Sequence, residues 1–320
     1  MRVVRYHEFG GPEVLAVEDV DRPAPAADEV LVEMRAASVN PVDTKFRSGA
    51  IPGPVTFPAI PGGDGAGVVA EVGEDVEEFA VGDRVFACGM GHAEGGTTAE
   101  YVDFPAVKVA HLPDSVSFEV GAAIGNVGAT AWTALFDIAG LQPSDRCLVH
   151  GGAGGVGHIA VQLAAAAGAD VVATAGSEEA RGRVLELGAD AAFDYGSDSL
   201  AEQVMDATDG EGVDVVLDHV LEKYLDVDLA VAAQGGRIVT ITGDLPALSG
   251  GPLRNKELTL RGMSMGNRYE RSHILARLGH LMERDELTAV VERTYDMDDI
   301  AEAHEAVLAG GYVGKLVVTP

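Results

Sequence analysis

The stretch Leu148-Val149-His150-Gly151-Gly152-Ala153-Gly154-Gly155-Val156-Gly157 decides the fold. A short apolar strand runs into a glycine cluster that reads G-x-G-x-x-G from Gly152 to Gly157. A helix pattern follows at once, with Val156, Ile159, Ala160, Leu163 and Ala167 on one apolar face. Gly152 permits the tight turn, Gly154 lets backbone approach a pyrophosphate, and Gly157 lets the helix pack close to the strand. The first turn of the helix, Gly155 to Gly157, then offers N–H groups and the positive end of the helix dipole to phosphate. A second strand, Asp170 to Ala175, completes the strand–helix–strand frame. Alone, the glycines would be a glycine-rich turn; within that frame they point to a dinucleotide site.

The end of the second strand selects the nicotinamide. NAD-binding chains place Asp or Glu there to hold the ribose 2′-hydroxyl. This chain reads Thr174-Ala175-Gly176-Ser177-Glu178-Glu179-Ala180-Arg181. No acid stands at Ala175 or Gly176, Ser177 can donate a hydrogen bond, and Arg181 or Arg183 can pair with a 2′-phosphate. The expectation is NADPH. Ser177 also suits the N-cap of the next helix, with Glu178 and Glu179 in its first turn, and both roles can hold together.

The 320 residues are enough for two domains that share a cleft. Apolar residues make up 47% of them, so a packed core is expected and wholesale disorder is not. No apolar run approaches the ~20 residues of a membrane span. Met1-Arg2-Val3-Val4-Arg5-Tyr6 reads as a strand and not as a signal peptide. Two cysteines, Cys88 and Cys147, cannot build a disulfide framework or a zinc knuckle. The default location is cytoplasmic. The 51 acidic and 22 basic residues give a net charge of −29, dispersed along the chain. Such a surface repels nucleic acid and anionic membranes. It suits a halophile's protein, whose fold is expected to weaken at low salt where self-repulsion is unscreened.

The N-terminal third reads as β-rich. Short apolar runs at Val30 to Met34, Gly67 to Val72, Arg84 to Cys88, Tyr101 to Phe104 and Val107 to Val109 alternate with turn signals such as Pro52-Gly53-Pro54. That implies a barrel-like domain. A helix is expected over Gly125 to Phe136. Strands then alternate with helices at Arg146 to His150, Asp170 to Thr174, Ala191 to Tyr195, Val213 to Asp218, Arg237 to Thr242 and Glu257 to Gly262. The class is α/β, with a doubly wound parallel sheet of Rossmann type. Helices near Arg271 to Met282 and Asp298 to Leu308 precede a last strand, Lys315 to Val318, and mark a return to the first domain.

Taken together, the chain resembles the medium-chain dehydrogenase/reductase superfamily. Within it, the zeta-crystallin-like quinone oxidoreductases are similar to this chain at Ser38-Val39-Asn40-Pro41-Val42-Asp43-Thr44-Lys45-Phe46-Arg47-Ser48-Gly49. Three more matches are Pro61-Gly62-Gly63-Asp64-Gly65-Ala66-Gly67-Val68-Val69, Val81-Gly82-Asp83-Arg84-Val85-Phe86 and Ala173-Thr174-Ala175-Gly176-Ser177-Glu178-Glu179. The resemblance spans essentially the whole chain. It implies a GroES-like catalytic domain over 1–120 and 265–320, and a Rossmann domain over 121–264.

The zinc-dependent alcohol dehydrogenases of that superfamily bind catalytic zinc where this chain has Asn40, Gly63-Asp64 and Asn126. Those residues are not a zinc ligand set, and His92 alone stands in the region matching the structural zinc loop. No metal is expected. Without a Lewis acid to stabilise an alkoxide, the acceptor should be electrophilic, such as a quinone or an activated C=C bond.

The resemblance implies roles for single residues. Asn40 would donate to the substrate oxygen, although it also suits the turn before Pro41. Lys45 stands where the family often has Tyr and could donate in its place. Thr130 resembles a threonine that hydrogen-bonds the nicotinamide region, or bonds its own helix backbone. Tyr195 would lie near the adenosine phosphate, Gly243 near the nicotinamide ribose, and Lys315 near the cofactor. His150 and His158 read as packing residues, His219 as a minor candidate for the cleft, and Asp43 as a structural hydrogen-bonding partner. Relatives pair through an edge strand, here near Glu257 to Met263, so a homodimer or tetramer is expected. The leading function is reduction of a small quinone by NADPH. The alternatives are an enone or enoyl-thioester reductase on the same fold, and a non-catalytic crystallin-like NADPH-binding protein.

Overall fold

Alternating and continuous runs of β-branched residues set the first sheet. β1 (Arg2–Arg5) and β2 (Ala16–Asp19) pair as a separate antiparallel ribbon. β3 (Glu29–Val39) is the long central strand, followed by α1 (Pro41–Arg47), β4 (Asp64–Val72), β5 (Arg84–Cys88), β6 (Tyr101–Pro105), β7 (Val109–His111) and α2 (Phe118–Trp132). The computed structural model describes residues 1–51, 53, 55–90, 95–243, 247–248 and 250–320. His92 and both prolines of Pro52-Gly53-Pro54 lie outside the described residues.

The second run of elements alternates. It comprises β8 (Arg146–Val149), α3 (Gly155–Ala166), β9 (Asp170–Ala175), α4 (Glu178–Glu186), β10 (Ala191–Asp194) and α5 (Leu200–Ala207). β11 (Val213–Asp218), α6 (Leu221–Val231), β12 (Ala232–Thr240), α7 (Gly250–Lys256) and β13 (Thr259–Gly262) complete it. The chain closes with α8 (Ser272–Glu283), β14 (Val291–Asp296), α9 (Ile300–Ala309) and β15 (Lys315–Thr319). Two compact units result, Met1–Ala129 with Gly266–Pro320, and Thr130–Met265. The division falls within α2, nine residues after the domain boundary expected at 120/121.

In the first unit the described strands order as β14-β15-β3-β4-β5-β7. Both ends of β3 are used on one edge. Its first half pairs with β6, and its last residues pair with β15, Leu316 opposite Val39. That register brings the first residue of β15, Lys315, beside the β3–α1 corner. Val30, Val32, Met34, Val69, Val85 and Phe104 form the apolar cluster behind this sheet. Fully burying each such side chain contributes about 1.5–3 kcal/mol.

In the second unit the described strands order as β10-β9-β8-β11-β12-β13, all parallel. Strand order reverses between β8 and β11. In a doubly wound sheet the crevice for a ligand opens there, at the carboxyl ends of the strands. Leu148, Val172, Val216, Leu229 and Ile238 fill the core beneath.

Three expected elements differ. Val107 to Val109 is not a strand: Pro105 turns the chain into a 3-10 turn at Ala106–Lys108, and the strand β7 begins only at Val109. The helix expected from Gly125 starts at Phe118, with the Ser117 hydroxyl accepting from Val120 N–H, and ends in a π-helical turn, Thr133–Ile138. Glycine and alanine had blurred its periodicity. The strand expected from Glu257 begins at Thr259, because Glu257 adopts φ +54° and ends a turn. Leu258 and Leu260 near that edge pack against the unit's own core.

Candidate functional site

The glycine loop follows β8 at the reversal point. Gly151 N–H donates to Thr174 Oγ1 at 3.1 Å and Gly152 N–H to Thr174 O at 2.8 Å, so both glycines are tied to β9. Gly154 is the N-cap of α3 and has no side chain to satisfy the first-turn N–H groups at Gly155, Val156 and Gly157. A Cβ on Gly157 would overlap the Gly151 carbonyl oxygen. Only glycine lets the helix start this close to the loop. The arrangement presents backbone donors and a dipole end at one point, which suits a phosphate.

At the end of β9, Ser177 is the N-cap of α4, its Oγ accepting from Ala180 N–H at 3.1 Å. Its hydroxyl hydrogen is not used by that bond. Arg181, one turn on, pairs with Asp194 Oδ2 at 3.2 Å. Arg183 pairs with Glu186 at 2.6 Å on the same helix. A Cβ on Gly176 would overlap the Tyr195 hydroxyl, so Tyr195 lies across the β9–α4 turn. Gly243, past β12, has open space around its Cα. Thr130 is buried in α2.

Polar groups that the sequence reading set aside lie under the loop. The His150 ring is buried, stacks on Tyr224 at 4.6 Å, and sits between Thr174 Oγ1 (3.2 Å) and Asp228 Oδ1 (2.9 Å). Burial pushes its pKa down to about 4, so it is neutral near pH 7. His158 faces the Gly154 carbonyl at 2.9 Å. Both fill packing places, as their sequence positions implied.

The first unit gathers Asn40, Lys315 and a residue the sequence reading discounted, Asp64. Lys315 Nζ donates to Val39 O at 2.8 Å and to Asn40 Oδ1 at 2.7 Å. Asn40 Nδ2 donates to Asp64 Oδ1 at 2.7 Å, with Ser38 Oγ at 3.4 Å. Ser38 Oγ also donates to Asp64 Oδ1 at 2.9 Å, and Asn126 N–H donates to Asp64 Oδ2 at 2.9 Å. All four side chains are buried. Asn40, expected to donate to the substrate oxygen, here has its amide held between the Asp64 carboxyl and the Lys315 ammonium. Asp43 accepts from Asn40 N–H at 2.8 Å, a structural role. Lys45 is exposed on α1, away from this network's hydrogen bonds. A charged residue directly before the small and apolar run Gly65 to Ala70 was the available sign for Asp64.

Burial raises Asp64 to about 6, opposed mainly by the Lys315 ammonium. Burial lowers Lys315, opposed by Asp64 and Asp43. The positions matching zinc ligands do converge here. They offer one carboxyl, an amide and a backbone N–H, with an ammonium 2.7 Å from the amide oxygen. That donor set does not fit zinc. Among the described residues no group of three His, Cys, Asp or Glu could hold a metal ion. The glycine loop and the Ser177–Arg181 turn, by contrast, fit a nicotinamide dinucleotide.

Comparison with known proteins agrees with this geometry. The alcohol dehydrogenase GroES-like domain matches residues 26–114, and the zinc-binding dehydrogenase domain matches residues 155–280. A quinone oxidoreductase of Rattus norvegicus is 35% identical over 327 residues, 99% of this chain and 97% of its own length. The Escherichia coli quinone oxidoreductase complexed with NADPH superposes with a TM-score of 0.89 at 30% identity, covering 100% of both chains. An NAD-dependent alcohol dehydrogenase superposes with a TM-score of 0.92 at 33% identity, again covering 100% of both. Similarity at this level over the full length, with the GroES-like and Rossmann units both present, makes the chain a member of the medium-chain dehydrogenase/reductase superfamily, in its zeta-crystallin-like quinone oxidoreductase branch.

Proposed function

We propose that this chain reduces small quinones with NADPH and without a metal ion. The observation that carries this reading is the set at the zinc-ligand positions, where Asn40 and Asn126 donate to Asp64 and Lys315 donates to Asn40, an arrangement that does not suit a Lewis-acid metal. An acceptor that needs little electrophilic help suits it. Reduced nicotinamide supplies the hydride. The α3 N-terminus, Gly155 to Gly157, holds the pyrophosphate, and Gly151, Gly152 and Gly154 shape its approach. Ser177 and Arg181 hold the 2′-phosphate, while Gly176 and Tyr195 shape the adenosine side. Thr130 hydrogen-bonds the nicotinamide region, and Gly243 borders the nicotinamide ribose.

The Arg181–Asp194 pair is half open to solvent, and such pairs contribute about 0–1 kcal/mol. A phosphate dianion can therefore take the guanidinium from Asp194. In the first unit, the proton is given from the Lys315–Asn40–Asp64 network or from exposed Lys45. Asn40 acts by holding Lys315 and Asp64 together. Homodimerisation would use the open edge of β13, through its backbone, since Leu258 and Leu260 are turned to the core.

The test is NADPH oxidation in molar KCl with quinones and enones offered in parallel and NADH as control donor. Fast turnover with quinone and NADPH alone is the expected result. Preference for enones assigns the protein to double-bond reduction instead. Tight NADPH binding without turnover on either would show a binding protein.

A further inference from the structure

Beneath the glycine loop a line of hydrogen bonds runs from Gly151 to Asp228. Asp228 Oδ1 is 2.9 Å from His150 Nε2. His150 is neutral, so one ring nitrogen donates and the other accepts. With Nε2 donating to Asp228, Nδ1 accepts from the Thr174 hydroxyl, which in turn accepts from Gly151 N–H. Gly151 thus reaches Asp228 through Thr174 and His150, with one donor and one acceptor at each joint. The far end of the line is unfinished. Asp228 Oδ2 and Asp218 Oδ2 are buried and have no hydrogen-bond partner among the described residues, while Asp218 Oδ1 accepts from Val220 N–H at 2.6 Å. The two carboxyl groups are within hydrogen-bonding reach of each other. Two facing carboxyl oxygens satisfy each other only with a proton between them.

We propose that Asp218 and Asp228 share one proton through these two oxygens, and that the pair anchors the Gly151 end of the loop, which makes Asp228 a positioning residue for cofactor binding. The second half of this rests on the proposal that the loop takes the cofactor's pyrophosphate.

Burial raises both carboxyls above the ordinary aspartate range, and their proximity adds to the shift at Asp218. The shared proton is therefore kept toward neutral pH. The surrounding titratable groups are His150 from β8, His219 after β11, and Tyr224 and Lys223 from α6, with Tyr195 after β10. Burial pushes His219 down to about 4, so it is neutral as well. Lys223 lies over the Tyr195 and Tyr224 rings, at 5.2 and 5.1 Å. β9 contributes uncharged Thr174. No cation is hydrogen-bonded to the pair among the described residues. Loss of the proton would leave two carboxylates facing each other below bound phosphates, which loosens the line and repels the ligand.

Asn at either position imitates the protonated partner. In Asp218→Asn the amide oxygen accepts from Val220 and Nδ2 donates to Asp228. In Asp228→Asn the oxygen accepts from His150 and Nδ2 donates to Asp218. In the double variant two NH2 groups face each other. Thermal unfolding of the protein without cofactor should give both singles a Tm close to wild type or above it at pH 7, and the double several degrees below either. A carboxyl raised in the folded state contributes stability that is full below about pH 4 and is lost as pH rises toward neutrality. The Tm of each single variant should therefore gain on wild type as pH rises through that window. Singles that fall as far as the double, or that track wild type across pH, would overturn the shared proton.

NADPH titration by fluorescence reads the second half. Wild-type affinity should fall about tenfold or more as pH rises past neutrality, and Asp218→Asn should flatten that fall. An unchanged pH profile beside the stability signature would overturn the positioning role. A wild type that binds no NADPH at any pH would instead overturn the cofactor reading, and with it the positioning role, while the unfolding data still decide the shared proton.

Discussion

Under the proposed function Arg181 has two duties. Its pair with Asp194 is partly exposed, so the guanidinium is held but not locked. Charge-assisted hydrogen bonds contribute about 1.5–3 kcal/mol, and losing Asp194 to a phosphate offsets part of that. Arg181→Ala is expected to raise KM for NADPH about tenfold and leave KM for NADH unchanged, as steady-state kinetics with both donors would show. Lys315 poses the opposite case, a fully buried cation. Lys315→Met removes the ammonium that favours ionised Asp64 and leaves Val39 O and Asn40 Oδ1 without their donor, and each buried acceptor left unsatisfied costs about 1–3 kcal/mol. Urea unfolding should show a large loss at pH 8 and a smaller one at pH 5, because Asp64 takes up a proton and becomes neutral. At this scale the sequence named Asn40 and Lys315 but not the bond between them. Residues 275 positions apart meet only through the pairing of β15 with β3.

Elements were more legible than contacts. The β8–α3–β9 unit was readable because strand periodicity, glycine spacing and helix periodicity all agree over one short stretch. α3 is also where a single methyl group matters. Gly157→Ala places a Cβ against the Gly151 carbonyl, so helix and loop must separate. Overpacking of this kind costs about 1–3 kcal/mol. Calorimetric titration should show NADPH affinity reduced more than tenfold, and urea unfolding a loss within that range. Boundaries were the less legible part. Pro105 and Glu257 each delay a strand by a turn that hydropathy does not record, and the glycine-rich first half of α2 hides its own start.

For the whole molecule the dominant quantity is charge. A net −29 on 320 residues sets up repulsion that screening relieves, with a Debye length of about 10 Å at 0.1 M salt and about 3 Å at 1 M. Tm is expected to rise by several degrees between about 0.1 M and 2 M KCl, followed by circular dichroism. A Tm indifferent to KCl would contradict the self-repulsion argument. Among the described residues no helix is long and apolar enough to cross a membrane.

The sequence by itself determined the β8–α3–β9 unit, the glycine turn within it and the acid-free end of β9. Each is a local matter, settled by residue size, periodicity and charge within about 30 consecutive positions. Tertiary structure alone decided that Asn40 bonds Asp64 and Lys315, and that Asp218 and Asp228 are both buried, each with one carboxyl oxygen unpartnered among the described residues. Those facts depend on strand register and on burial. Both arise when distant segments pack, and desolvation then gives ordinary side chains protonation states that no local pattern encodes.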